Sequence, residues 1–264
     1  MKTIALALLS LAALAGANQP IPDLPRAEVV LCNISVLDVK AGAWLLHRDV
    51  IIRNGRIAAV QPAGSPLPPA KFTVNGDGKF AVPGLFDNRV HLKGFDRTTA
   101  GQFVAYGVTS VWDRGTDAAR IEEWRRDISY GKFMGPRIVR ADAAAPRLQD
   151  EPPLPGSGAG ATSPIVVGLH DELAARVRRS GLTAGEVLRS ATLDSAAFHG
   201  RALDLGSIEQ GKIADVVVLS GDPLADIRQT RMIDAVVFRG EILTRAHLNQ
   251  LLSHARLQPA PYDQ

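Results

Sequence analysis

The stretch that most constrains this chain covers residues 81–92 and reads AVPGLFDNRVHL. An apolar strand end runs into a Pro-Gly pair, after which polar and apolar residues alternate. Alternation directs successive side chains to opposite faces of a strand. The pattern therefore predicts a strand that presents Arg89 and His91 on one face and Val90 on the other.

The first 17 residues are predicted to be a secretory signal peptide. Lys2 gives a positive start, residues 4–14 form an apolar run, and Ala-Gly-Ala at 15–17 provides a small-x-small cleavage site before Asn18. We therefore expect export, with the mature protein in the periplasm or secreted. The apolar run is too short to span a bilayer and no later run is as long, so we expect no membrane span.

Composition excludes several kinds of protein. The remaining chain is long and apolar enough to bury a real core, with 46% hydrophobic residues overall. Cys32 is the only cysteine, which rules out an intrachain disulfide, and its apolar surroundings favour a buried, inert thiol. A net charge of +3 does not indicate a nucleic-acid partner. The basic group Arg176, Arg178 and Arg179 is predicted to form a solvated helix face.

Short strands are predicted at both ends of the chain, in residues 27–82 and 206–246. The Asn54-Gly55 pair between apolar runs is a strong hairpin signal in the first part. Each part alone is a small sheet whose apolar face must be covered. We therefore expect the two parts to pack together.

Residues 81–92 resemble the first barrel strand of the metal-dependent amidohydrolase superfamily, which reads P-G-[LF]-[IVW]-D-x-H-x-H. The sequences GSIEQGKIAD at 206–215 and GDPLADI at 221–227 resemble the ending of the same family, and we place the chain in its imidazolonepropionase-like branch. The resemblance implies that the strands of both chain ends form one composite β-sandwich from which a (β/α)8 barrel is inserted.

The predicted barrel region, residues 83–205, is short. Its 123 residues compare with about 250 for a complete eight-stranded barrel. A β-α-β-α-β order is followed by a linker at 141–162 that is rich in Ala, Pro and Gly, and residues 247–264 form a C-terminal helix and tail. The predicted fold is therefore α/β: a composite β-sandwich plus an incomplete TIM-type (β/α) barrel. Either the open edge is covered, or a homo- or hetero-oligomer completes the barrel.

The resemblance implies zinc or a similar metal that activates water for attack on a C–N bond. Arg89 and His91 occupy the two histidine places of the first strand, and a guanidinium has no lone pair to give a metal. Gly158 stands where the family has its aspartate base. His91 is interpreted as a vestigial metal ligand or as a hydrogen-bonded polar residue, and Asp87 and Asp113 could complete only a weak, adventitious site. We therefore expect no catalytic residue set and no bound zinc in this chain.

Two further histidines lie outside the family's metal set. His170 is predicted to be a helix-surface histidine. His199 follows a predicted helix, whose dipole favours a cation at that end.

Three hypotheses follow for function. The first is an amidohydrolase-family protein whose ancestral activity was hydrolysis of a cyclic amide or dipeptide and which is catalytically impaired. The second is a non-catalytic binding or scaffold subunit that pairs with another chain. The third is a product of an internal deletion without function.

Overall fold

The computed structural model describes residues 27–139, 153–158 and 168–256. The predicted signal peptide, most of the predicted linker and the last eight residues of the tail lie outside these ranges. Strands and helices are both present, which confirms a mixed α/β fold. Within the described ranges, no helix has the length and apolar character needed to cross a bilayer.

The eleven strands of the described residues are β1 (Ala27–Asp38), β2 (Ala43–Arg53), β3 (Arg56–Pro62), β4 (Ala70–Asn75), β5 (Phe80–Pro83), β6 (Leu85–Val90), β7 (Val108–Asp113), β8 (Arg137–Val139), β9 (Val216–Leu219), β10 (Ile233–Phe238) and β11 (Glu241–Thr244). The α-helices are α1 (Gly101–Ala105), α2 (Ala118–Ser129), α3 (Gly168–Ser180), α4 (Ala184–Arg189), α5 (Ser195–Phe198) and α6 (Arg245–Arg256). A π-helical turn, Ser190–Asp194, joins α4 to α5, and 3-10 helices cover Leu92–Gly94 and Ile227–Arg231.

Strands from both ends of the chain share one eight-stranded sheet. Its order is β11-β10-β9-β5-β1-β2-β3, and β4 also pairs with β1. The two ends meet where β5 pairs antiparallel with β9, with Val82 opposite Val217. Val29 and Leu31 of β1 lie in the same buried cluster as Val218 of β9, so the two chain ends share a core.

The hairpin between β2 and β3 has the local structure that its sequence predicts. Asn54 and Gly55 have φ angles of 52° and 69°. Positive φ at both central residues is typical of a type I′ turn, whose twist matches that of paired strands. This turn sets the register of the hairpin.

A second sheet consists of three parallel strands in the order β6-β7-β8. Helices α1 and α2 connect the strands, as the predicted β-α-β-α-β order requires. The Asp117 side chain begins α2 by accepting the main-chain amides of Ala119 and Arg120. Because parallel strands run in one direction, the carboxyl ends of β6 and β7 lie at the same edge of this sheet.

Residues 153–158 lie along the side of β6 that faces away from β7. The main-chain amide of Asn88 donates to the Pro155 carbonyl over 3.1 Å, and that of Gly158 donates to the Arg89 carbonyl over 2.9 Å. Leu154 is buried. This part of the predicted linker therefore packs as part of the fold, with its direction parallel to β6.

Candidate functional site at the ends of β6 and β7

The residues that the sequence proposes for a metal site lie at or near one edge of the parallel sheet. Val90, the last residue of β6, pairs with Asp113, the last residue of β7. Four side chains lie at or near this edge: Asp87, Arg89, His91 and Asp113.

His91 lies just beyond the strand. β6 ends at Val90, and the chain turns at His91, with φ −119° and ψ 86°, into the 3-10 helix that starts at Leu92. The turn is held by the Leu92 amide, which donates to the Asp113 carboxylate over 2.6 Å. The imidazole of His91 is exposed. The strand is therefore shorter than its alternating sequence predicts.

Arg89 occupies the first histidine place of the motif with an exposed side chain. Its Nη2 lies 3.4 Å from the Gly156 carbonyl oxygen and 3.6 Å from the Glu172 carboxylate. A Cβ on Gly156 would lie 2.6 Å from the Arg89 amide nitrogen, so only glycine permits this approach. The position holds a cation that faces a carboxylate.

Asp87 is fully buried in the middle of β6. Its carboxylate accepts the main-chain amide of Ser157 over 2.9 Å, the Ser157 hydroxyl, and the main-chain amide of Arg89 over 3.1 Å. Burial raises the pKa of Asp87 to about 6, although these hydrogen bonds act to lower it. Ser157 precedes Gly158, the residue that the resemblance places where the family has its aspartate base.

Asp113 closes the loop between β7 and α2. Besides the Leu92 amide, its carboxylate accepts the main-chain amide and the hydroxyl of Thr116, each over 2.8 Å. These contacts engage both carboxylate oxygens with the protein's own donors.

The described donor set does not fit a catalytic zinc. Such a site typically has three protein ligands that offer nitrogen, oxygen or sulfur lone pairs. Over the described ranges, no group of three or more His, Cys, Asp or Glu side chains is placed to hold a metal ion. Asp87 and Asp113 are engaged elsewhere, and Arg89 has no lone pair to offer.

Sequence reasoning missed Asn88, which links β6 to the helices. Its buried amide nitrogen donates to the Pro155 carbonyl over 3.0 Å and to the Ser195 hydroxyl over 2.9 Å, and its oxygen lies 3.0 Å from His199 Nε2. Burial, with a smaller effect of the Arg114 guanidinium, lowers the pKa of His199 to about 4. The prediction of a cation favoured by the helix dipole is therefore wrong, because the ring is neutral near pH 7.

His170 is fully buried, so the prediction of a helix-surface histidine is wrong. Its Nδ1 lies 2.9 Å from the Thr230 hydroxyl and its Nε2 lies 3.0 Å from the Tyr106 carbonyl oxygen. Burial lowers its pKa to about 4. The neutral ring holds α3 against the 3-10 helix Ile227–Arg231 and the end of α1.

Arg176 is also more buried than predicted. Its Nε donates to the Glu172 carboxylate over 2.9 Å, and its Nη2 donates to the Leu154 carbonyl over 2.9 Å. The predicted solvated face is therefore wrong for Arg176, whereas Arg178 and Arg179 are exposed. Arg176 fixes the segment that contains Ser157.

Cys32 lies partly buried in β1. Burial first, and the Asp49 carboxylate second, raise the pKa of its thiol above the usual value. Cys32 is therefore less buried than predicted, and a thiol with a raised pKa is a poor nucleophile at neutral pH.

Comparison with known proteins finds one matching family and several relatives, each of which is similar over only part of its length. The model described as the amidohydrolase family matches residues 159–243. An adenine deaminase from Paracoccus denitrificans is 30% identical over 97 residues, which are 32% of this chain and 16% of that protein. An imidazolonepropionase from Kosmotoga olearia is 30% identical over 82 residues, which are 30% of this chain and 18% of that protein. The matches thus span less than a fifth of these curated relatives.

The fold resembles solved structures more extensively. The structure of molinate hydrolase superposes with a TM-score of 0.75 at 15% sequence identity, over 90% of this chain and 99% of that chain. At so low an identity, the likeness shows the fold alone.

Proposed function

We propose that this chain, which belongs to the amidohydrolase superfamily as its sequence predicts, does not hydrolyse a substrate by itself and acts as a binding subunit. The observation that carries the proposal is Arg89 at the first histidine place of the strand-one motif, 3.6 Å from the Glu172 carboxylate. A guanidinium stays protonated and cannot coordinate a cation. The metal that would activate water therefore lacks its first ligand.

The proposal includes an incomplete barrel. A TIM-type barrel closes with eight parallel strands, and the parallel sheet of the described residues has three. Residues 155–158 lie along β6, while β8 has no strand on its other side within the described ranges. An unpaired strand edge is a template for pairing with another chain. A second copy or a different protein is proposed to cover β8.

The alternative is a chain that retains hydrolysis of a cyclic-amide or dipeptide C–N bond. Asp87 is the feature that favours it, because a carboxyl with a pKa of about 6 can exchange a proton near neutral pH. The similarity of this chain to an adenine deaminase and an imidazolonepropionase also supports the alternative. Against it, Asp87 is fully buried and its carboxylate contacts Ser157 rather than open space.

Elemental analysis of the purified mature protein, together with its mass in solution by light scattering, tests the proposal. We expect substoichiometric zinc and a folded protein. The Arg89→His variant restores the residue types of the motif and should raise zinc affinity, whereas Arg178→His adds an exposed histidine elsewhere and should not. One or more zinc ions per wild-type chain would overturn the proposal, and an aggregated product under all conditions would favour the deletion hypothesis.

Export is part of the same proposal. The charged start, apolar run and Ala-Gly-Ala site of residues 1–17 support a cleaved signal peptide. Mass spectrometry of the protein from a periplasmic extract or culture medium should find Asn18 as the first residue. A product that retains residues 1–17 would contradict export by this route.

A further inference from the structure

A cavity of about 240 Å³ lies between α2, β8 and the turn that joins β10 to β11. Four arginines line it together with a neutral histidine: Arg125, Arg137, Arg201, Arg239 and His199. None of the described lining residues is acidic. Positive charge is therefore concentrated around one concave surface.

Three buried polar atoms of this wall have no hydrogen-bond partner in the described structure. They are Nε of Arg137, Nε of Arg239 and Nδ1 of His199. A buried polar group without a partner destabilises a fold. All three belong to residues that line the same cavity.

Three carboxylates outside the cavity lining neutralise part of this charge. Glu122 Oε1 lies 3.6 Å from Arg125 Nη1, and Asp204 Oδ2 lies 3.4 Å from Arg201 Nη2.

Asp215 is the third carboxylate. Asp215 Oδ2 lies 3.1 Å from Arg137 Nη2, and Asp215 Oδ1 accepts the main-chain amide of Arg239 over 3.1 Å. The Arg239 side chain donates instead to the Ile128 carbonyl over 2.9 Å. Burial, and then repulsion from Arg137, lower the pKa of Arg239 below its usual value. An anion between the two guanidinium groups would relieve that repulsion.

The hydrogen-bond network fixes the polarity of His199. The Asn88 amide nitrogen faces the Pro155 carbonyl, which can only accept, so the Asn88 oxygen faces His199 Nε2. Nε2 must therefore carry the proton of the neutral ring. Nδ1 of this cavity-lining residue consequently carries a lone pair and requires a donor.

We propose that this cavity binds a small organic oxyanion, a carboxylate or a phosphate, that also bears a hydroxyl or amino group. The guanidinium groups bind the oxyanion through charge-assisted hydrogen bonds. His199 Nδ1 accepts the hydrogen bond of the neighbouring hydroxyl or amine. The cavity includes neither Arg89 nor His91, so the site goes beyond the proposed loss of hydrolysis and does not depend on it.

Isothermal titration calorimetry of the mature protein tests the site, with lactate, glycerol 3-phosphate, propionate and methyl phosphate as probes. The variants Arg125→Gln and Arg201→Gln change side chains that are 39% and 37% exposed, so the fold should persist. Each should weaken the binding of the preferred probe by about tenfold or more. Arg178→Gln removes the same charge from an exposed position of α3 and should leave affinity within about twofold.

The probes separate the two oxyanions and the role of the hydroxyl. Preference for lactate identifies a carboxylate, and preference for glycerol 3-phosphate identifies a phosphate. In either case the hydroxyl-free partner, propionate or methyl phosphate, should bind more weakly. Absence of binding with all four probes at millimolar concentration, equal losses in Arg201→Gln and Arg178→Gln, or equal affinity for the hydroxyl-free partner would overturn the proposal.

Discussion

The main-chain amide of Ser157 donates a 2.9 Å hydrogen bond to the buried carboxylate of Asp87, and the Ser157 hydroxyl donates to the same carboxylate. The two residues are 70 positions apart in the chain. Their contact fastens residues 153–158 to the free side of β6. It also surrounds a buried acid with donors from a segment of little regular structure.

The Asp87→Asn variant should change how stability depends on pH. Burial raises the pKa of Asp87 from 3.8 to about 6. Between these values the native protein binds more protons than the unfolded chain, so this group lowers the free energy of unfolding as the pH rises. Over the whole pH range, the raised pKa of Asp87 lowers the free energy of unfolding by about 3 kcal/mol. Asn does not titrate, so the stability of Asp87→Asn relative to wild type should rise by that amount from pH 4 to pH 7.

Urea unfolding at intervals of pH measures this difference. Asp77→Asn is the matched control, because it makes the same substitution at an exposed position. The predicted state of Asp87 is wrong if both variants follow the wild-type dependence on pH.

His170 should change the pH dependence of stability in the opposite direction, over nearly the same pH range. Burial lowers its pKa from 6.5 to about 4, so the unfolded chain binds the extra proton and stability falls as the pH falls from 6.5 to 4. His170→Gln should lose about 3 kcal/mol of this acid sensitivity. At pH 7 the variant should be less stable by about 1–3 kcal/mol, because the partners Thr230 and Tyr106 lose a well-placed ring.

Acid unfolding followed by circular dichroism, together with urea unfolding at each pH, checks this prediction. His47→Asn serves as the control, because His47 is exposed and its φ of 50° suits Asn. An acid dependence of stability that is unchanged in His170→Gln would contradict the buried neutral state.

Local signals predicted the strands well. The Asn54-Gly55 turn needs only its own two residues to set the hairpin, because positive φ is a property of that pair. The pairing of β5 with β9 is long-range, but both strands are apolar and each chain end has a face to bury. The hydrophobic pattern and turn residues therefore predict a strand or turn correctly where the residues of that segment alone determine its structure.

The environments of polar side chains were harder to predict. His170 lies beside Leu169, and Ala174 one turn later is also buried, so the buried face of α3 is wider than a narrow apolar stripe. The partners that make burial of the ring tolerable, Thr230 and Tyr106, are 60 and 64 positions away. A single sequence carries no sign of that pairing.

For residues 153–158, the composition predicted a linker, whereas the structure packs this segment against β6. Pro and Gly are typical of linkers, yet here Gly156 permits close approach to Arg89, and Pro155 offers its carbonyl to Asn88. The available signal was Asn88 in a strand that starts with Leu85 and Phe86, since an amide that becomes buried there requires partners.

Arg176→Gln should loosen the segment that carries Ser157. The wild-type guanidinium joins Glu172 to the Leu154 carbonyl, each over 2.9 Å. Gln cannot reach both, so the free energy of unfolding should fall by about 1–3 kcal/mol. Hydrogen exchange of residues 153–158 should accelerate more than that of β7.

Arg179→Gln on the same helix is the control for Arg176→Gln, because Arg179 is exposed. Equal exchange rates for residues 153–158 in the two variants would show that Arg176 does not hold this segment.

Gly84 joins β5 of the large sheet to β6 of the parallel sheet, and its small size should be essential. A Cβ at this position would lie 2.6 Å from Thr109 Cγ2. Thr109 is 1% exposed within β7, so its side chain has no room to move away. Gly84→Ala should therefore destabilise the protein by about 1–3 kcal/mol through overpacking.

A double-mutant cycle with Thr109→Ala isolates this contact. The double variant should be more stable than the sum of the two single effects predicts, because removing Cγ2 and Oγ1 of Thr109 removes two of the three close contacts and leaves Thr109 Cβ at 2.8 Å. Urea unfolding of the four proteins provides the coupling free energy. Additive effects would mean that Thr109 Cγ2 and Oγ1 do not cause the cost of Gly84→Ala.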